Sequence, residues 1–175
     1  MKKSFYLVIL LLSILITSCE IEGAYNEEGI YDREGVYENT QLIEKLNSEA
    51  VETLIIGGNS FVLEAYLWRD FMPVSSSDGN LLISINWLTD INSVKIPDNI
   101  RMLQQYVIYG GSIWIANYEN EASPNQLVYR IEKVSRNGPQ WGPKVYVDVI
   151  SKVRDSKTDK IHYIKCKNAY IERTD

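Results

Sequence analysis

The only imidazole in the 175-residue chain is His162, in the run "IHYIKCKNAYI". Cys166 lies four positions on, an even offset that in an extended segment puts both side chains on one face, about 13 Å apart. That is too far for the proton transfer a Cys-His or Ser-His-Asp arrangement needs. His162 is therefore expected to be a surface or strand-end histidine and Cys166 a small buried core residue. Glu64 and Asp148 are the acids most closely alternated with apolar neighbours, and paired carboxylates would suit glycoside hydrolysis. Sixteen acids follow residue 38, however, so pairs arise by number alone, and Asp148, with Lys152 and Arg154 nearby, reads as ion-paired or outward. "DSKTD" and "TDIN" lack the ligand spacing and turn glycine of a calcium loop. No catalytic residue, metal site or cofactor is expected. The residues left with a role to fill are aromatic. Trp141 sits in a Gly/Pro-rich loop, where binding residues collect, and Trp141, Trp114 and Tyr118 are the candidate contacts for a glycan or an envelope protein. The strand tryptophans Trp68, Trp87 and Trp114 otherwise read as core.

The start of the chain bears on where such binding would occur. Lys2 and Lys3 precede an apolar run over residues 5–16 broken only by Ser13. A bilayer-spanning helix needs roughly 20 such residues, so a charged start and a short apolar run ending in small residues read as a secretory signal over residues 1–18. Ile16-Thr17-Ser18-Cys19 resembles the lipobox of bacterial lipoproteins. The resemblance implies a diacylglycerol thioether on Cys19, cleavage before it, and acylation of the new amino terminus, palmitate being typical. At about 0.8 kcal/mol per buried methylene, three chains amount to a permanent lipid anchor. The expected location is the bacterial outer membrane or cell surface, with the membrane as a partner and nucleic acid not expected. Cleavage leaves 157 residues with Cys166 as the remaining thiol of the domain, so no internal disulfide is expected.

After Cys19 the chain reads "EGAYNEEGIYDREGVYE" over residues 22–38, one unit of Glu-Gly-aliphatic-Tyr repeated three times at a spacing of six. Residues 20–38 carry seven acids against Arg33 alone. Three units are too few to stack as a solenoid, and like charges with few aliphatics oppose a packed core. Residues 19–38 are expected to be the lipidated cysteine and an acidic tether, with Tyr25, Tyr31 and Tyr37 available for docking. Residues 127–173 hold eleven basic side chains against five acids, which makes them a candidate partner for that tether.

From residue 52 onward apolar residues alternate with a period of two. "ETLIIGGNSFVLEAYLWRDF" predicts two strands joined at Gly57-Gly58-Asn59, with Phe61, Leu63, Ala65 and Leu67 on one face. "NLLISINWLT" predicts a strand with Leu81, Ile83, Ile85 and Trp87 on one side, and "QQYVIYGGSIWIANY" a second hairpin. "LVYRIEKVS", "KVYVDVISKV" and "KIHYIKCKNAYIE" complete the set, and all five prolines fall between strands. The apolar stripe Leu42, Ile43, Leu46, Ala50 and Leu54 fits either a short lead-in helix capped by Thr40 or an irregular lead-in. The expected fold is all-β, a single β-sandwich of about 7–8 mainly antiparallel strands over residues 39–175.

"EAYLWRDFMPVS", "NGPQWGPKVYVDVI" and the final "ERTD" resemble segments of an uncharacterised Bacteroidota lipoprotein family with prealbumin-like or immunoglobulin-like sandwich domains. The likeness spans residues 52–175, and the acids after Cys19 resemble the surface-export signals of such lipoproteins. It implies a fold and a compartment and carries no site residues across. The function expected is a non-catalytic, membrane-anchored binding module, the alternative being a structural or assembly component of a surface complex.

Overall fold

A computed structural model describes residues 33–72, 80–119 and 127–175. The signal segment, Cys19 and the first two copies of the repeat lie outside the described residues. The elements run β1 (Gly35–Glu38), α1 (Thr40–Glu49), β2 (Thr53–Ile56), β3 (Asn59–Asp70), β4 (Leu82–Asp90), β5 (Ile100–Tyr109), β6 (Ser112–Asn117), β7 (Arg130–Gly138), β8 (Tyr146–Asp155) and β9 (Lys160–Thr174). Eight strands form one path in the order β1-β6-β5-β8-β9-β3-β4-β7, and β2 pairs with β3 beside it. Every pairing is antiparallel except β3 with β9. The tight turn between β2 and β3 has Gly57 at φ 59° and Gly58 at φ 88°, the doubly positive geometry that favours glycine in two-residue hairpins.

β9 turns a corner. Lys160 to Tyr170 pair with β8, whereas Ile171 to Thr174 pair with Leu67 to Asp70 of β3. The register slips just before this change, and Asn168, at φ 54°, donates its amide to Asp148 Oδ1 at 2.9 Å. Asp148, expected to be ion-paired or outward, lies on the outer side between the inward Val147 and Val149, and there it holds the bulge at which the sheet bends. The ends of the path meet again on the far side. Glu119 N donates to Val134 O at 2.8 Å, and Ser135 Oγ to the Asn117 carbonyl at 3.1 Å. The sheet therefore curls into a sandwich-like all-β fold around one interior.

That interior is filled from both halves, by Phe61, Leu63, Leu67, Leu82 and Leu88 on one side and Val107, Trp114, Val149, Val153 and Ile164 on the other. A second apolar cluster lies outside the sheet. α1 sets Leu42, Ile43, Leu46 and then Ala50 against Tyr106, Ile108, Ile113, Ile115, Ile150 and Tyr163. The lead-in is thus a helix, and its cap is Asn39, whose Oδ1 accepts from Leu42 N at 2.9 Å, not Thr40. Because α1 covers the strands at this end, β5 and β8 are buried on both faces.

Two further expectations are corrected. On β4 the inward residues are Leu82, Ser84, Asn86, Leu88 and Asp90, so Ile83, Ile85 and Trp87 face outward. The domain also begins before residue 39, because the third copy of the repeat is strand β1, paired from Gly35↔Ile115 to Glu38↔Ser112.

Candidate functional site

The three predicted contact residues do not share a surface. Trp114 is 4 % exposed, its ring packed where a Cβ on Gly138 would come within 2.7 Å. Tyr118 donates its hydroxyl to Ser151 Oγ at 3.1 Å inside the fold, and burial pushes its pKa far above that of a free phenol. Trp141 is half-buried, with its ring 5.7 Å from that of Tyr109. Its loop is pinned by the buried Arg69 of β3, whose guanidinium donates to the carbonyls of Gln140 (3.1 Å) and Gly142 (2.5 Å) while Nε donates to Asn80 O (2.6 Å). Trp141 is therefore a clamped residue beside a hairpin.

The open aromatic surface lies elsewhere, on the outer face of β3, β4 and β7. Alternation on β3 sends Glu64, Tyr66 and Trp68 outward, and the register sets them opposite Trp87, Ile85 and Ile83 of β4. The Tyr66 and Trp68 rings stack at 5.3 Å with 27° between their planes, and Tyr66 is 40 % exposed. A polar group borders them. Arg130 donates to Glu64 Oε2 at 3.0 Å and Thr89 Oγ1 at 3.1 Å, and its guanidinium carbon lies 5.6 Å from the Trp87 ring centroid. Trp87 Nε1 donates to Glu132 Oε2 at 2.6 Å. Trp68 and Trp87, read as core from the sequence, belong to this outer face and are only half-buried. Sequence reasoning missed the surface because the apolar side of "NLLISINWLT" looks like the inside.

Comparison with protein-family models, curated proteins and solved structures finds no match. Roles for these residues accordingly rest on their chemistry. A flat pair of stacked rings offers its faces to an apolar or C–H-rich surface. The adjacent Glu64, Thr89, Arg130 and Glu132 offer both hydrogen-bond donors and acceptors. Among the described residues, no helix lies over this face as α1 lies over the other half of the sheet.

The remaining candidates are less suited to chemistry. His162 is half-buried and lines a concavity of about 330 Å³ with Glu49, Val51, Leu54, Ile161 and Tyr163. Burial pushes the Cys166 thiol upward, against thiolate formation, with the Ala65 backbone bond opposing that shift and the Asp148 and Glu64 charges adding to it. Among the described residues, no group of three or more His, Cys, Asp or Glu is placed to hold a metal ion. No described helix is long and apolar enough to cross a membrane.

Proposed function

We propose that the chain is a lipid-anchored lipoprotein of the bacterial outer membrane or cell surface, and that its domain is a non-catalytic binding module. The outer face of β3, β4 and β7 is the surface that takes the ligand. The observation that carries this reading is the outward-facing stack of Tyr66 and Trp68 beside Trp87, edged by Glu64, Arg130 and Glu132. Flat ring faces next to hydroxyl, carboxylate and guanidinium groups suit a glycan, whose sugar faces stack while its hydroxyls bond. The lipobox-like "ITSC" supports the anchor.

The second reading, a structural or assembly component, rests on a different observation. Ile83 and Ile85 continue the aromatic strip across β4, giving an aliphatic stretch that suits a protein surface. One experiment separates the two. The membrane-anchored protein is probed against a panel of envelope glycans and against solubilised envelope proteins, with Tyr66→Ala and Trp68→Ala as comparators. Glycan capture that falls at least about tenfold in either variant, roughly 1.4 kcal/mol, with an unchanged melting temperature, supports the first reading. Protein capture lost in the same variants supports the second. If neither variant changes any capture, this face is not the binding surface. Cys19→Ser should release the chain from membranes, and its continued retention there would overturn the anchor.

A further inference from the structure

The third copy of the repeat shows what each residue of the unit does. Gly35 sits at φ 147°, a backbone region closed to side-chain-bearing residues, and a Cβ there would lie 2.9 Å from the Tyr37 hydroxyl oxygen. Tyr37 folds back over that glycine, donates to the Glu34 carbonyl at 3.1 Å, and packs against the α1 cluster. Glu34 Oε1 accepts the Asn117 amide at 2.7 Å at the end of β6. The aliphatic Val36 and the acid Glu38 face the rim, and Val36 is 50 % exposed. Strand β1 thus uses its glutamate to reach β6, its glycine to make room for the tyrosine ring, and its tyrosine to dock on the α1 cluster, while the aliphatic position is open to other side chains.

The same selection fits residues 28–32, "EGIYD", six positions earlier: Glu28 for Glu34, Gly29 for Gly35, Ile30 for Val36, Tyr31 for Tyr37 and Asp32 for Glu38. The first copy, residues 22–26, is a poorer match, with Ala24 at the aliphatic position and Asn26 at the acidic one. We propose that residues 28–32 of the same chain are an alternative occupant of the β6 edge, so that β1 can be exchanged between copies by a slip of one repeat. A slip of six residues is even, which keeps tyrosine on the α1 side and the aliphatic residue on the other. The residues then linking the strand to Asn39 number six, within the common range for connections. Each slip draws in about 20 Å of extended chain at 3.3–3.6 Å per residue. If the amino-terminal anchor proposed above holds, the repeat is an adjustable spacer between anchor and domain; the exchange itself does not depend on the anchor.

Disulfide trapping tests the exchange in the full chain, in a Cys19→Ser, Cys166→Ala background. Ser112 faces Glu38 across the β1–β6 pair, close enough for a disulfide between cysteines at those positions. Ser112→Cys with Glu38→Cys should link within the monomer, whereas Ser112→Cys with Asp32→Cys should link weakly. Adding Gly35→Val should reduce the first product and raise the second several-fold. A second Asp32 product that stays at its starting level while the first falls overturns the proposal. So does a first product that Gly35→Val leaves intact, because glycine is then not what the strand requires beneath the tyrosine ring. An Asp32 product found as a covalent dimer overturns the same-chain occupant in favour of a second copy. Melting temperature supplies the control for folding. Gly29→Val should leave it unchanged alone and lower it in the Gly35→Val background; no effect in that background overturns the proposal.

Discussion

Asp90 ends β4 buried among donors. Asn59 Nδ2 reaches its Oδ2 at 2.9 Å, and the amides of Asn92 and Val94 reach its Oδ1 at 2.9 and 3.1 Å. These bonds, the Asn59 amide first, hold its carboxyl below the ordinary range against the opposing effect of burial. Asp155 does the same work in the β8–β9 turn, with Thr158, Asn99 and the Lys157 amide as donors. A carboxylate whose folded pKa is depressed contributes stability above its unfolded pKa, about 3.9, and that contribution is lost as pH falls through the lower folded value. Wild-type protein should therefore exceed Asp90→Asn in stability at about pH 6 and converge towards it below about pH 3, as urea titrations across that range would show. An offset that stays constant with pH would remove the carboxylate's charge from the explanation. At this scale the sequence was least informative. "TDIN" and "DSKTD" lack metal-loop spacing, and nothing in them announces two buried turn hubs, because beside the local donors each carboxylate takes one side-chain amide, Asn59 or Asn99, from far off in the chain.

Elements were the most legible level. The hairpins over the two glycine doublets and the long β9 follow from a period of two with turn residues between, a local pattern that a single sequence carries in full. The face assignment of β4 did not follow, because Ser84 and Asn86 point inward and Trp87 outward, against the hydrophobicity of the strand. Strand β1 also escaped, since its pairing with β6 offsets the cost of its charge through contacts absent from the local sequence. α1 lay between these cases: its stripe was visible, but the surface it covers was not. That surface makes a definite prediction. Leu46 is fully buried against the outer side of the sheet, so Leu46→Ala should cost about 2–5 kcal/mol, measured by denaturant unfolding. A loss below about 1 kcal/mol would mean that α1 is only loosely seated on the strands.

Across the whole molecule, the two halves of the sheet are joined inside by polar groups as well as by leucines. Asn86 Nδ2 donates to Ser84 Oγ at 3.0 Å on its own strand and to Gln105 Oε1 at 2.6 Å on the opposite side. Gln105 lies beside Ser151 on β8, which receives the Tyr118 hydroxyl. Asn86 Oδ1 and Gln105 Nε2 have no hydrogen-bond partner among the described residues. A buried group left unpaired costs about 1–3 kcal/mol, whereas replacing both partners by apolar groups of similar shape can be neutral or better. Asn86→Leu alone should therefore destabilise by about 1–3 kcal/mol, and Asn86→Leu with Gln105→Leu should recover most of that loss in a thermal double-mutant cycle. Additive losses would show that the pair does not act as a unit. Such a crossing could not be read from the sequence, where Asn86 and Gln105 are two polar residues in separate strands.

The corner in β9 also sets an order of events during biosynthesis. Leu67 to Asp70 emerge about a hundred residues before their parallel partners Ile171 to Thr174, and loop closure over such a separation is slow. While synthesis is still short of β9, one flank of β3 lacks its neighbour and the two halves of the sheet have no continuous strand between them. A chain in that state keeps its core open along the β3 flank until β9 is made.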